Sequence, residues 1–342
     1  MPPLKIAAIP GDGIGGEVLE AGLRVLGQIA DIEVTTYPWG SDYYLAHGEM
    51  LPADALETLQ RFDAIYFGAV GSKAVPDHVT LWGLRLAICQ GFDQWANVRP
   101  VKFYEGLNRD PSLDWIVVRE NSEGEYAGLG GRQLAARGPG NEVAIQTSLF
   151  TEKGCERIIR FAFELARTRP RKHLTSVTKS NAQQYAMVLW DEVFQRASRD
   201  YPDVTTDSEL VDAMAARFVL RPQTLDVVVA SNLHGDILSD LGSALAGSLG
   251  LAASANLNPD RLHPSMFEPV HGSAPDIAGQ GIANPLGAIG SAALLLDHLG
   301  RPDLGNRVRA AIAATIKDGI RTRDLGGSHP TADVTLAVIA RL

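Results

Sequence analysis

Asp236 and Asp240 stand four residues apart in the stretch Ser231-Asn232-Leu233-His234-Gly235-Asp236-Ile237-Leu238-Ser239-Asp240. Beyond Gly235 the apolar residues Ile237, Leu238, Leu241, Leu245 and Leu249 recur at helical spacing, so both acids fall on one helical face. Two like charges so placed cost roughly 0.2–0.5 kcal/mol unless a cation lies between them. A solvated face carrying two acids is one reading; two hard oxygen donors for Mg²⁺ or Mn²⁺ is the other. Position favours the second, because the apolar run Asp226–Ala230 reads as a buried strand, and α/β proteins place ligands at the carboxyl ends of such strands. Further candidates are the acid Asp212, the cations Arg85, Arg99, Arg119 and Lys179, and the phenol of Tyr126. Guanidinium forks suit bidentate carboxylates, and an amine and a phenol can carry a proton. Taken singly, each also fits a surface ion pair, a half-buried anchor or a solvated chain.

The elements that must position these groups alternate along the chain. Strands are expected at Lys5–Ile9, Ala64–Val70, from Asn97, at Trp115–Glu120, Leu174–Thr178 and Asp226–Ala230. Helices are expected after Gly16, over Leu81–Cys89, Cys155–Ala166, Ala186–Arg196, from Asp212 to Leu220, and in the last third at Ala292–Leu299 and Arg307–Gly319. Residues 128–150 suggest a protruding hairpin, 242–255 a Gly/Ala-rich stretch, and 266–278 a loop. Such alternation calls for layered α/β architecture. Gly11-x-Gly13-x-x-Gly16 formally matches the dinucleotide fingerprint, yet Pro10 and Asp12 crowd the place where a pyrophosphate would approach.

The chain of 342 residues has room for two domains. Its net charge of −9 argues against nucleic acid or an anionic membrane as partner and requires a local basic cluster for any anionic substrate. The two cysteines, Cys89 and Cys155, have no metal-like spacing, which fits a reducing cytoplasm. No apolar run reaches membrane-spanning length, and no signal-peptide core is evident.

Taken together, the strings GDGIGGEV (11–18), ANVRPVK (96–102), VRENSEGEY (118–126), SVTKSNA (176–182), VDA (211–213), SNLHGDILSD (231–240), EPVHGSAPDIAG (268–279) and GIANP (281–285) strongly resemble the β-decarboxylating isocitrate and isopropylmalate dehydrogenase family. The resemblance covers essentially the whole chain. WGSDYY (39–44), VPDHVTLWG (75–83) and CQGFDQWANVRP (89–100) are most similar to the branch acting on tartrate and D-malate. It implies a two-domain isopropylmalate-dehydrogenase-like α/β fold, distinct from a Rossmann fold: a discontinuous cofactor domain of residues 1–95 and 250–342, and a dimer-forming domain of 96–249. It further implies Arg99 and Arg119 as substrate-carboxylate clamps, and Asp212, Asp236 and Asp240 as ligands of Mn²⁺ or Mg²⁺. That ion acidifies the substrate hydroxyl and, as a Lewis acid, holds charge while CO₂ leaves. Lys179 matches the base that takes the hydroxyl proton, and Tyr126 the acid that protonates the enol carbon. Lys179 and Asp212 would reach into a neighbouring subunit's site, giving a homodimer with shared active sites, and residues 128–150 match the dimer clasp.

For NAD the resemblance implies Ile14, Asn232, His271, Gly272, Ala274, Asp276 and Asn284. The carboxylate of Asp276 suits both ribose hydroxyls and repels the 2′-phosphate of NADP. The loop Pro10–Gly15 would then border the nicotinamide. Departures bear on the substrate. Cys89 stands where the family has a first clamp arginine, and Arg85, one turn earlier, stands where isopropylmalate enzymes carry a leucine. Arg85 is thus placed to supply that charge from a different root, and an arginine beside an isopropyl pocket is unfavourable. Trp82 replaces a glutamate that touches the nicotinamide in many relatives, and His234 stands where Phe is common and reads as packing near the cofactor. The expected activity is NAD-dependent oxidation, with β-decarboxylation, of a (2R)-hydroxy diacid: D-malate to pyruvate and CO₂, tartrate, or both, with 3-isopropylmalate as the alternative. The sequence leaves open the physiological substrate, the choice of Mn²⁺ or Mg²⁺, a K⁺ requirement, and oligomers beyond the dimer.

Overall fold

The computed structural model describes residues 2–107, 110 and 112–342. Its strands are β1 (Leu4–Gly11), β2 (Ile32–Thr36), β3 (Ala64–Ala69), β4 (Ala96–Lys102), β5 (Asp114–Glu120) and β6 (Gly124–Gln133). There follow β7 (Val143–Leu149), β8 (His173–Thr178), β9 (Thr205–Leu210), β10 (Val227–Ala230), β11 (Ala253–Leu257) and β12 (Ser265–Pro269). The chain divides into two compact units, residues 1–114 with 240–342, and residues 115–239. The expected boundaries at 95/96 and 249/250 differ from this division. β4 pairs with β11 through Ala255–Val98 and Asn256–Asn97, which ties residues 96–102 to the larger unit.

In the larger unit the strand order is β2-β1-β3-β12-β11-β4. β1 pairs in parallel with β2 and β3, β3 with β12, while β11 runs antiparallel to both β12 and β4. That antiparallel strand inside the sheet sets the unit apart from a doubly wound parallel Rossmann sheet. Every residue of β3 is buried, as its unbroken apolar run requires for a strand covered on both faces. The helix Leu286–His298 is apolar almost all round, and it is packed into the core with Tyr66, Phe267, Val308 and Ile312. β11 and β12 fall where the sequence reads as a Gly/Ala-rich stretch and a loop. Ala253 and Ala255 have weak strand preference, but their small side chains let the helix approach: a Cβ on Gly290 would sit 3.0 Å from the Ala253 Cβ.

In the smaller unit the order is β5-β10-β8-β9, all parallel, with β6 and β7 forming a separate two-stranded hairpin. The helix Glu152–Arg167 buries Cys155, Ile158, Ile159, Ala162, Phe163 and Ala166 on one stripe, and the Thr151 hydroxyl caps its start. β9 lies where no element is expected from the sequence. Its polar Thr205-Thr206-Asp207-Ser208 run is an outer strand lacking the apolar alternation that announces one. The helix expected over Leu81–Cys89 forms as a π-helical segment, Leu81–Leu86, continued by an α-helical turn, Ala87–Gly91. π-Helical turns recur at functional sites, and here Arg85 lies in one.

Candidate active site

β5 delivers Arg119 to its carboxyl end, where the side chain is 2% exposed. Its Nε and Nη2 donate to Asn232 Oδ1 at 2.9 and 2.7 Å, and its Nη1 donates to Asp236 Oδ1. Tyr126 Oη donates to the other oxygen of the same carboxylate at 3.1 Å, and the Arg119 guanidinium lies 5.2 Å from the Tyr126 ring centre. The guanidinium and the phenol are thereby gathered on one acid. Gly235 makes this possible, because a Cβ there would lie 2.7 Å from the Arg119 Cβ. Glu125 fixes the start of the helix Asn232–Ala246 by accepting from Ser231 Oγ at 2.9 Å and Leu233 N at 3.0 Å. Glu120 is 2% exposed and accepts from Ser122 N, Ser122 Oγ and Glu123 N, while burial pushes its carboxyl above the usual range.

At the end of β8, Lys179 Nζ donates to Asp212 Oδ1 at 2.6 Å. This ammonium, followed by backbone N–H groups, holds the Asp212 carboxyl below the usual range. His234 is 6% exposed, its Nδ1 has no partner among the described residues, and burial lowers its pKa.

In the larger unit Arg99 is 6% exposed and lies 3.7 Å, Nη1 to Oδ1, from Asp240. Each acid of the Asp236/Asp240 pair therefore faces an arginine, which offsets the repulsion expected between them. Arg85 is 8% exposed and donates from Nε to Glu268 Oε1 at 2.7 Å. Cys89 is a core residue, packed with Ile9, Ile65, Leu84 and Ile88. Among the described residues no three His, Cys, Asp or Glu side chains of one chain gather around a common point. The chemistry of the donors still fits a divalent cation: Asp236 and Asp240 offer partly exposed hard oxygens one turn apart, and Asp212 offers a third, 67% exposed.

A cavity of ≈ 360 Å³ is lined by Ile14, Ser248, Gly250, His271, Ile277, Ile282, Asn284, Arg323 and Asp324. It thus brings together Ile14, His271 and Asn284, at the size expected of a small-molecule pocket. His271 Nδ1 contacts Gly272 O at 3.0 Å, its buried Nε2 has no partner among the described residues, and burial lowers its pKa. With the proton on Nδ1, the orphaned Nε2 is an acceptor waiting for a donor, as an adenine amino group would be. Asn284 donates from Nδ2 to Asp324 Oδ2 at 2.8 Å and accepts from Leu286 N at 3.0 Å. Ser248, Arg323 and Asp324 were not among the sequence candidates. They lie in segments with no phosphate- or base-binding pattern, and only the fold brings them to Asn284.

Gly272, Ala274 and Asp276 belong to the same exposed segment, with Ala274 at φ +39°. Asp276 pairs with Lys73 at 2.5 Å, and both side chains are largely exposed. Asn232, expected at the cofactor, accepts from Arg119 Nε and Nη2 and donates to Glu123 O within the smaller unit. Two of the glycines of the fingerprint-like loop, Gly11 and Gly13, serve the protein's own packing. Ile14 N donates to Ser273 O at 2.8 Å, and a Cβ on Gly13, at φ +56°, would lie 2.0 Å from that oxygen. Asp12 accepts from Ser41 N, Ser41 Oγ and Gly71 N, tying three loops together.

Acid–arginine pairs, a lysine–aspartate couple and a cavity of small-molecule size, carried on an α/β fold, are groups a dehydrogenase can use. The family described as isocitrate/isopropylmalate dehydrogenase matches residues 5–338, and the chain belongs to it. The chain is 56% identical to the "probable tartrate dehydrogenase/decarboxylase" of Agrobacterium vitis, over 98% of this chain and 96% of that protein. It is 50% identical to the D-malate dehydrogenase [decarboxylating] of Escherichia coli K12, over 99% and 98%. Among solved structures, isocitrate dehydrogenase from Methylococcus capsulatus superposes with a TM-score of 0.91 at 36% identity, covering 99% of both chains.

Proposed function

We propose that this protein is an NAD- and divalent-cation-dependent dehydrogenase that oxidises and decarboxylates a four-carbon (2R)-hydroxy diacid, D-malate or tartrate. The observation that carries the reading is the Asp236 carboxylate held between Arg119 and Tyr126, one helical turn from an Asp240 that faces Arg99. Arg99 and Arg119 bind the substrate's carboxylates as forked donors. Asp236 and Asp240, with Asp212 of a second subunit, would hold Mn²⁺ or Mg²⁺, whose Lewis acidity would ease loss of the substrate's hydroxyl proton and stabilise charge during decarboxylation. Lys179 accepts the hydroxyl proton, and Tyr126 Oη returns a proton to the enol carbon. His271 and Asn284 would receive adenine, Asp276 the ribose hydroxyls, and Gly272 and Ala274 would border the same nucleoside; Ile14, expected beside the nicotinamide with the loop Pro10–Gly15, lines the same cavity as Asn284.

A shared site needs a second copy of the chain, and the surface supports one. Val219, Leu220, Ile237 and Ile145 are 54%, 75%, 57% and 60% exposed, apolar groups that a partner would cover. Among the described residues no helix is long and apolar enough to cross a membrane, and Cys89 and Cys155 are both buried, in keeping with a cytoplasmic enzyme.

The test is a panel of D-malate, L- and meso-tartrate, 3-isopropylmalate and isocitrate with NAD, run with Mn²⁺ and after chelation. Metal-dependent NADH formation from D-malate or tartrate is expected; turnover of isopropylmalate alone would refute the substrate assignment. Two variants sharpen it. Asp276→Lys should raise the NADP-to-NAD ratio of kcat/KM by at least about tenfold, since it removes the anion facing the 2′-phosphate; an unchanged ratio would place the ribose elsewhere. Arg85→Leu should raise KM for the diacid and leave buried Glu268 uncompensated, lowering stability by about 3–5 kcal/mol. A variant with wild-type melting temperature and kinetics would show that neither the ion pair nor the charge matters.

A further inference from the structure

Glu268, 5% exposed, accepts on a single oxygen from Arg85 Nε and from Asn256 Nδ2, both at 2.7 Å. Asn256 and Asn97 are fully buried. Asn256 Oδ1 in turn accepts from Asn97 Nδ2 at 2.8 Å and from Arg85 Nη2 at 3.2 Å. Asn97 Oδ1 then accepts from Arg99 Nε at 2.8 Å. Every bond in this chain donates toward the Glu268 carboxylate. An amide has one donor end and one acceptor end, so the anion dictates which way Asn256 points. That choice, together with Ser254 Oγ and Ala255 O, which also accept from Asn97 Nδ2 at 2.8 and 3.4 Å, sets the direction of Asn97, and the Asn97 oxygen fixes the Nε edge of Arg99. Buried polar chains of this kind strengthen each other and are costly to leave partly satisfied.

We infer that Glu268, Asn256 and Asn97 are positioning residues that set the guanidinium plane of Arg99 for the substrate's carboxylate, with Arg85 paired to Glu268 as its buried countercharge. The inference rests on the proposed role of Arg99 as a carboxylate clamp. It gives Arg85 a reason to replace an apolar residue even though its Nε and Nη2 are engaged within the protein: it completes the relay that orients the other arginine. The consequence is a pre-oriented fork for a small dicarboxylate, with a buried ion pair in the position where a branched apolar substituent would need an apolar wall.

The relay is cut at one link by Asn97→Ala, and Asn97→Thr, which suits a strand and keeps a hydroxyl for Ser254 Oγ, serves if the alanine variant does not fold. In the full-length enzyme either variant should raise KM for the diacid by about tenfold, as expected for losing a hydrogen bond to a charged group, while kcat and the dissociation constant of NADH change far less. The decisive reading is a cycle with Arg99→Met: if Asn97 acts only through Arg99, Asn97→Ala adds nothing in that background. Equal KM effects in both backgrounds would assign Asn97 a merely structural role, and a folded variant with wild-type KM would overturn the inference. Wild-type protein that neither binds nor oxidises any hydroxy diacid would overturn instead the functional reading beneath it.

Discussion

Lys179→Met is expected to lower kcat by about 10³-fold or more while NADH still binds, because removing a positioned proton acceptor typically forfeits 10²–10⁴ in rate. Two consequences separate this from simple damage to the fold. Lys179 is 27% exposed and bonded only to Asp212 among the contacts described, so methionine leaves the core untouched and the melting temperature should stay near that of wild type. Asp212 meanwhile loses the ammonium that holds its carboxyl low, so its titration should move upward toward the ordinary aspartate range. Rapid-mixing kinetics would check the rate and NADH fluorescence the binding. Turnover within a fewfold of wild type would remove Lys179 from the role of base.

Asp236→Asn is the second large effect. One side chain serves three partners here: Arg119, Tyr126 and, in the proposed reaction, the cation. The amide keeps the shape and removes the charge, so metal affinity and substrate alignment fall together. Diacid turnover at micromolar Mn²⁺ should drop by at least about a thousandfold, with partial recovery at millimolar metal. Mn²⁺ titrations followed by electron paramagnetic resonance would show the weakened binding independently of activity. Wild-type Mn²⁺ affinity in this variant would take Asp236 out of the ligand set.

Much of this site is legible in the chain because its parts are local. Asp236 and Asp240 declare a shared face through helical spacing, and the strand before them declares where that face stands. Arg119 and Lys179 are legible as residues at strand exits. What could not be read is whatever depends on long-range pairing. Arg85 stands out as an arginine in an apolar place, yet its partner Glu268 is 183 residues away, and nothing in the string that begins with Glu268 couples the two. Asp324, which orients Asn284 from 40 residues further on, is equally silent. β11, built from Ala253-Ser254-Ala255-Asn256-Leu257, is a strand because β4, β12 and the helix Leu286–His298 leave it no alternative; its own propensities do not ask for it. The Gly-rich loop shows the opposite failure: its pattern invites a nucleotide, and the structure fills the invitation with Ser273 O.

In the proposed reaction each active site joins Lys179 and Asp212 of one chain to Asp236 of another. Lys179→Met and Asp236→Asn proteins, each nearly inactive alone, can be dissociated, mixed and re-associated, with native mass spectrometry counting the heterodimers. A heterodimer then has one site with both lesions and one site with none. Activity should return to about a quarter of wild type, from one intact site in half of the dimers. A mixture that contains heterodimers and stays inactive would contradict the account, because the two residues would then act within a single chain.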